Sequence, residues 1–225
     1  MKKRALISGN TRGIGKAITD TLIQNGYDVV GIARNKAQDG NTRSIDLANI
    51  SALPKHIQSL AKKPFDVIVH NAGCGLFGPL ENLSFSDIQH ILNLNLHAHI
   101  LITKILLPSM KRQKKGDIIF IGSESAKTAK KLGTLYCASK FGLRGFALAL
   151  RDECARFGIR VSLIHPGAVK TDFFQEQHFQ PGENPGEHLK AEDVAKAVLL
   201  ILNARKGTVF EEIFIQPQKP RFIIS

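Results

Sequence analysis

Short apolar runs alternate with longer stretches of helical periodicity along the chain, and no other feature of this sequence restricts the fold as much. Strands and helices in that rhythm give a parallel sheet, because parallel neighbours need a crossover and a helix supplies it. The pattern predicts strands over Ala5–Ser8, Asp28–Ala33, Thr42–Asp46, Phe65–His70, Asp117–Ile121, Arg160–Ile164 and Phe210–Ile215. It predicts helices over Gly13–Asn25, Ser51–Lys62, Ser86–Met110, Thr134–Phe157 and Ala191–Asn203. The link from Arg34 to Asp46 is too short and polar for a helix. At 225 residues and 43% hydrophobic composition, the chain can bury a full core. It has no repeat and no linker. Residues 1–225 are therefore expected to form one α/β domain, a doubly wound parallel sheet of about seven strands with helices on both faces.

The first strand-to-helix junction carries the sharpest local signal. Gly9-Asn10-Thr11-Arg12-Gly13-Ile14-Gly15 follows the strand and opens an amphipathic helix. Glycines let the main chain turn tightly and approach a pyrophosphate, which then rests on amides at the helix N-terminus. The spacing is G-x-x-x-G-x-G rather than the common G-x-G-x-x-G fingerprint, but strand before and helix after place it in a Rossmann-type setting. The end of the second strand bears on which nucleotide is held. An acid there would hold the ribose hydroxyls of NAD, whereas a 2′-phosphate needs cations. This chain has Ile32-Ala33-Arg34, and Arg12 reaches the same pocket, so NADP(H) is favoured over NAD(H). Asp46 and Asn71-Ala72-Gly73 follow later strands, at the carboxyl edge where open parallel sheets bind ligands. Asp46 can accept from an adenine amino group and Asn71 can hold the turn open, although each is also an ordinary turn or cap residue.

Tyr136 and Lys140 share one face of a predicted helix. A partly desolvated ammonium one turn away can lower a phenol by roughly two to three units, about 3–4 kcal/mol of differential interaction. The same pair on a solvated face would do nothing. Ser123 follows the fifth strand, where its hydroxyl can bond a substrate carbonyl. Asn93 and Asn95 sit amid Ile and Leu on the long helix and, if buried, need partners. Beyond Lys140, residues 141–150 are more apolar and richer in small residues than one buried stripe requires. That helix is expected to pack on the sheet with one face and on a second subunit with the other.

The net charge of +12 raises the question of nucleic acid. The basic clusters lie near element ends and loops, with only two Tyr and no Trp to stack bases, so solvated surface is the favoured reading. The apolar run after Met1-Lys2-Lys3-Arg4 stops at Gly9, too early for a signal-peptide core, and Lys104 interrupts the longest candidate for a membrane span. A cytoplasmic protein without a membrane segment is expected. Cys74, Cys137 and Cys154 are odd in number and lack metal-ligand spacing, and His97 and His99, two apart, do not share a helix face. Reduced thiols and no metal are expected.

Taken together, Gly9-x-x-x-Gly13-x-Gly15, Asp46, Asn71-Ala72-Gly73, Asn95, Ser123, Tyr136-x-x-x-Lys140 and Pro166-Gly167-Ala168-Val169-x-Thr171 make essentially the whole chain resemble the short-chain dehydrogenase/reductase family, in its single-domain branch. The resemblance implies a catalytic tetrad of Asn95, Ser123, Tyr136 and Lys140. Tyr136 would be the general acid in carbonyl reduction and the base in alcohol oxidation. Lys140 would lower its pKa and hold the nicotinamide ribose, Ser123 would orient the carbonyl, and Asn95 would support a water linking Lys140 to solvent. Cofactor binding would fall to Gly9, Thr11, Arg12, Gly13, Ile14, Gly15, Arg34, Asp46 with Leu47, Asn71, Ala72, Gly73, Tyr136, Lys140, Pro166, Gly167, Val169 and Thr171. A homodimer or homotetramer acting on a small carbonyl or alcohol compound follows from the same likeness. The alternative is a silent NADP-binding regulatory or scaffold protein of the same fold, against which the intact tetrad argues.

Some positions depart from the family pattern. Ser8 stands for the usual Thr, His70 for the first Asn of its motif, and Gly122 where a second Ser is common, while the segment after Arg34 is shortened. The stretch Asp172–Lys190 carries Phe173, Phe174 and Phe179 beside Glu176, His178, Glu183 and His188, with Gly and Pro pairs that suit a mobile substrate lid. Its aromatics favour a partly apolar carbonyl compound without naming it.

Overall fold

The protein is described by a computed structural model that covers residues 2–35, 40–175 and 177–224. Seven parallel strands form the main sheet in the order β3-β2-β1-β4-β5-β6-β8. They are β1 (Arg4–Ser8), β2 (Asp28–Ala33), β3 (Thr42–Ser44), β4 (Val67–His70), β5 (Gly116–Ile121), β6 (Ile159–Pro166) and β8 (Glu212–Ile215). On one face α1 (Gly13–Gln24) and α6 (Ala191–Asn203) bury Ile18, Leu22, Val194, Val198 and Ile201 against Ile7, Val69 and Ile119. The other face is covered by α2 (Leu53–Leu60), α4 (Ala98–Gln113) and α5 (Thr134–Ala155), through Ile57, Ile102, Leu106, Leu143 and Leu150. Strands covered on both faces explain why β4 reads as an uninterrupted apolar run rather than an alternating one. The expected doubly wound Rossmann-type sheet is what the chain forms. Strand order reverses between β1 and β4, so the carboxyl ends of these two flank the crevice where such sheets take ligands.

Departures from the expected elements have local causes. The helix expected from Ser51 starts at Leu53, with Pro54 in its first turn, where a missing N–H costs nothing. The helix expected as one piece over Ser86–Met110 is α3 (Phe85–Leu92), a π-helical turn over Asn93–His97, and then α4. Ser84 and Asp87 form a capping box that fixes the start of α3. The whole run Phe85–Gln113 is 29 residues and, by length and composition, apolar enough to cross a membrane, contrary to the expectation from Lys104. In this fold it lies on the sheet, with Ile91, Ala98, Ile102, Leu106 and Met110 buried and Lys104 exposed.

A second, two-stranded antiparallel sheet was not legible: β7 (Phe179–Pro181) pairs with β9 (Phe222–Ile224). The expected lid is thereby tied to the C-terminal segment, and its root is closed by the Val169–Leu189 bridge. Glu176 and residues 36–39 lie outside the described residues.

Candidate active site

The glycine turn sets the geometry of the crevice. Gly9 and Gly13 have φ of +68° and +51°, the left-handed region that favours glycine. A Cβ on Gly15 would sit 2.0 Å from the Gly9 carbonyl oxygen and 2.5 Å from Asn71 Nδ2, so only glycine lets α1 start this close to the strand edge. Asn71 then ties the turn together, its Nδ2 donating to the carbonyls of Ser8 (3.0 Å) and Gly9 (3.1 Å). The Ser8 hydroxyl oxygen accepts from the amides of Asn71 (2.9 Å) and Ala72 (3.0 Å) and donates to the Val69 carbonyl (3.5 Å). No side chain caps α1 and its first turn carries no acid, so its leading amides and positive dipole end open on the crevice.

The crevice is a cleft of about 1060 Å³. Around the glycine turn it is lined by Gly9, Thr11, Arg12, Gly13, Ile14 and Arg34, and by Asp46, Leu47, Asn71, Ala72 and Gly73. Ser123, Tyr136 and Lys140 also line it, as do Pro166, Gly167, Val169 and Thr171. Two expected residues do not line it. Gly15 lies beneath the turn for the steric reason above, and Asn95 is fully buried behind the site. Asn95 exchanges two hydrogen bonds with the main chain of Cys74, accepting from its amide and donating to its carbonyl at 2.9 Å each, and donates to Ser139 Oγ at 3.1 Å. It thus clamps the segment after Gly73 to α5, from within the π turn, a distortion frequent at functional sites.

The donor set fits a dinucleotide: an uncapped helix start, glycine main chain without side chains in the way, and two guanidinium groups at the mouth. Arg12 leans toward Asp172 at 3.9 Å across the cleft, so it bridges to the expected lid. Arg34 sits at the end of β2, exposed. Asp46 Oδ1 accepts from the Ala48 amide at 3.0 Å, a turn bond that orients the carboxylate.

The electrostatics around Tyr136 differ from the expectation. Burial pushes the phenol up to about 12, against the lowering pull of the Ser123 hydroxyl, and the same burial lowers the Lys140 amine to about 8. The expected lowering of the phenol by Lys140 is not seen. Lys140 Nζ donates to the Ile121 carbonyl at 3.2 Å and stands 5.8 Å from the centre of the tyrosine ring.

Two buried histidine arrangements back the site. The Ala72 carbonyl must accept from His99 Nε2–H (2.9 Å), which leaves His99 Nδ1 to accept from His70 Nδ1–H (3.1 Å) and His70 Nε2 to accept from Thr103 (2.9 Å). Every bond in this chain runs one way with neutral rings, and burial holds His70 well below the ordinary imidazole range and His99 at about 4. On the other side, His165 lies between the Ser123 carbonyl (3.1 Å) and Glu212 (2.9 Å), and Glu212 takes a bidentate pair from Arg144 on α5 at 2.6 and 2.8 Å. Both ring nitrogens of His165 face acceptors, which favours the doubly protonated ring, while burial works against it and keeps its pKa below the ordinary value. A Cβ on Gly122 would sit 2.5 Å from His165 Nδ1, which accounts for glycine where a second Ser is common. Among the described residues no group of three or more His, Cys, Asp or Glu converges on a metal-sized site.

A parallel sheet with a glycine turn at its reversal point, and a Tyr–Lys helix facing it across the cleft, defines a nucleotide-dependent oxidoreductase fold. The family profile described as short chain dehydrogenase matches residues 3–181, and the chain belongs to that family. It is 32% identical over 226 residues to a 3-oxoacyl-acyl-carrier-protein reductase of Buchnera aphidicola, covering 92% of this chain and 93% of that one. An alcohol dehydrogenase of the archaeon Thermococcus sibiricus, complexed with 5-hydroxy-NADP, superposes with a TM-score of 0.86 at 26% identity, covering 98% of this chain and 99% of that one. A metagenomic short-chain oxidoreductase in complex with NADP superposes with a TM-score of 0.80 at 29% identity, covering 96% of each chain.

Proposed function

We propose that this oxidoreductase uses NADP(H) to interconvert a carbonyl and a secondary or primary alcohol, with Tyr136 as the proton donor. The observation that carries the reading is the meeting of Ser123, Tyr136 and Lys140 in the same cleft as the glycine turn. Bound there, the reduced nicotinamide supplies the hydride. Tyr136 gives the proton: an alkoxide forming at the substrate is far more basic than a phenolate, so a phenol held protonated by burial suits reduction. In the reverse, oxidative sense the phenolate would take the alcohol proton back. The Ser123 hydroxyl, which pulls the phenol down against its burial, orients the carbonyl oxygen. Lys140 and the main chain of residues 166–169 hold the sugar and amide end, and Asn95 keeps the 73–75 segment in place. Arg34 and Arg12, with no acid at the tip of β2, support the 2′-phosphate, and the NADP complexes among similar structures agree.

The rest of the reading follows the family. The outer face of α5, where Phe141 is exposed, suits self-association into a dimer or tetramer. Thiols at Cys74, Cys137 and Cys154 fit a reducing compartment such as the cytoplasm. The test is NADPH oxidation against a panel of ketones and aldehydes, with Tyr136→Phe as control. That variant should lose on the order of 10²–10⁴ in kcat while binding NADPH as before. Turnover surviving in it would remove the proposed acid, and NADPH binding without turnover of any carbonyl would favour the silent nucleotide-binding protein.

A further inference from the structure

Away from the glycine turn the cleft is walled by rings. Phe77 and Phe173 lie beside Tyr136, with centroid separations of 5.2 and 5.9 Å. Phe179 meets Phe77 edge-on at 5.0 Å, and Phe222 meets Phe179 edge-on at 5.4 Å. Phe174 closes the circuit, 5.1 Å from Phe173 and 5.8 Å from Phe179. These rings come from the loop after β4, from the stretch that holds the turn Asp172–Phe174 and β7, and from β9, three regions far apart in the chain. Their meeting depends on a missing side chain. A Cβ on Gly75 would lie 2.6 Å from Phe173 and 2.8 Å from Phe77.

The contribution of β9 follows from its register. Phe222 pairs with Pro181, Ile223 with Gln180 and Ile224 with Phe179, so alternation turns Phe222 and Ile224 to the cleft and Ile223 away from it. The strand is held there independently of its rings: the Gly182 amide donates to the Arg221 carbonyl at 2.9 Å, and the Lys219 amide to the Gly186 carbonyl at 2.8 Å. At the rim, Lys130 is engaged by Glu124 at 3.4 Å. The wall that a substrate meets next to Tyr136 is aromatic.

Tilted and edge-on rings offer both π faces and positive edges, and these attract another flat ring beyond what its apolar area alone would provide. We infer that the substrate is a ketone or aldehyde carrying an aromatic ring, with Phe222 of the C-terminal strand as a specificity-determining residue. This deepens the reductase reading and rests on it.

Steady-state NADPH oxidation with 1-phenylpropan-2-one and 1-cyclohexylpropan-2-one separates aromatic from merely apolar recognition, because the two share a carbonyl and differ in the π system. The phenyl compound should show a KM lower by about three- to tenfold, although the cyclohexyl compound is the more hydrophobic. Phe222→Leu, which keeps apolar bulk, should erase most of that ratio, and Ile223→Ala should leave it intact. Equal KM values in the unmodified protein, or a ratio untouched by Phe222→Leu, would overturn the inference while leaving the reductase reading standing. Failure of every carbonyl to turn over, with NADPH still bound, would remove the reductase reading instead. Calorimetric binding of the same two ketones to the NADP-loaded protein then decides the wall by itself: equal affinity overturns it and a phenyl preference supports it.

Discussion

The two ends of the cleft are built by different means. At the end where we place the nucleotide, the surface is main chain: Gly9, Gly13 and Gly15 are there for what they lack, and Asn71 and Ser8 hold carbonyls and amides in place. At the other end, five phenylalanines from four segments supply the surface. A main-chain site has no tolerance for added atoms, because the obstructing partner is backbone that cannot rotate away. A wall of side chains repacks, so changes there should be graded.

The sharpest way to break this comparison is Gly15→Val. The new Cβ would overlap the Gly9 carbonyl oxygen at 2.0 Å, and neither atom can move without opening the turn. NADPH affinity should fall by roughly 100-fold or more, at least about 2.7 kcal/mol, with a lowered Tm. Fluorescence titration and thermal melting check both. A variant that binds NADPH normally would show that the turn is not the nucleotide cradle.

The same contrast decides what the sequence displayed. Glycine spacing between a strand and a helix is local, so the turn that opens the cleft was legible, and bringing Tyr136 and Lys140 to one face needed only one helical turn. Three things were hidden. The β7–β9 pairing joins residues more than 40 positions apart in stretches too short for a period to register, so Phe222 and Ile224 carried no signal as wall residues. Phe77 looked like any apolar residue after a turn. The π turn at Asn93–His97 is invisible to a count of apolar positions because it shifts the register by one residue inside an otherwise helical run. Charge placement was missed for another reason: spacing puts Lys140 on the face of Tyr136, but only coordinates show its amine turned to the Ile121 carbonyl.

Lys140 lies at the seam of the two ends, and its burial gives the next largest effect. Its pKa of about 8, against 10.5 for a free lysine, means that folding disfavours the charged form. Between those two values the unfolded chain binds more protons than the folded one, so stability rises with pH in that window. The penalty is complete below about pH 8, where it amounts to about 3 kcal/mol, and it is gone above about pH 10.5. Lys140→Met removes it at the loss of one hydrogen bond, about 1 kcal/mol. The variant should therefore be inactive yet more stable by about 2 kcal/mol at pH 7, with the gain shrinking and then vanishing as pH rises toward 10. Urea unfolding at pH 7 and pH 10 checks this, and a loss of stability at pH 7 would mean that the amine has stronger partners than the Ile121 carbonyl.

The smallest effect should come from an exposed side chain at the rim of the glycine-turn end. Arg34 is exposed at the tip of β2, so a phosphate pair there is charge-assisted but screened by solvent and salt. Arg34→Ala should weaken NADPH by about tenfold, roughly 1.4 kcal/mol, and leave NADH nearly unchanged, because only the former carries the 2′-phosphate. Arg12 tempers the loss, since it reaches the same end of the cleft even while it faces Asp172 at 3.9 Å. Raising the ionic strength should shrink the difference between the two arginine states, as it would not for a main-chain contact. Equal weakening of NADPH and NADH would mean that Arg34 supports the turn rather than the phosphate, leaving Arg12 as the side chain that meets it.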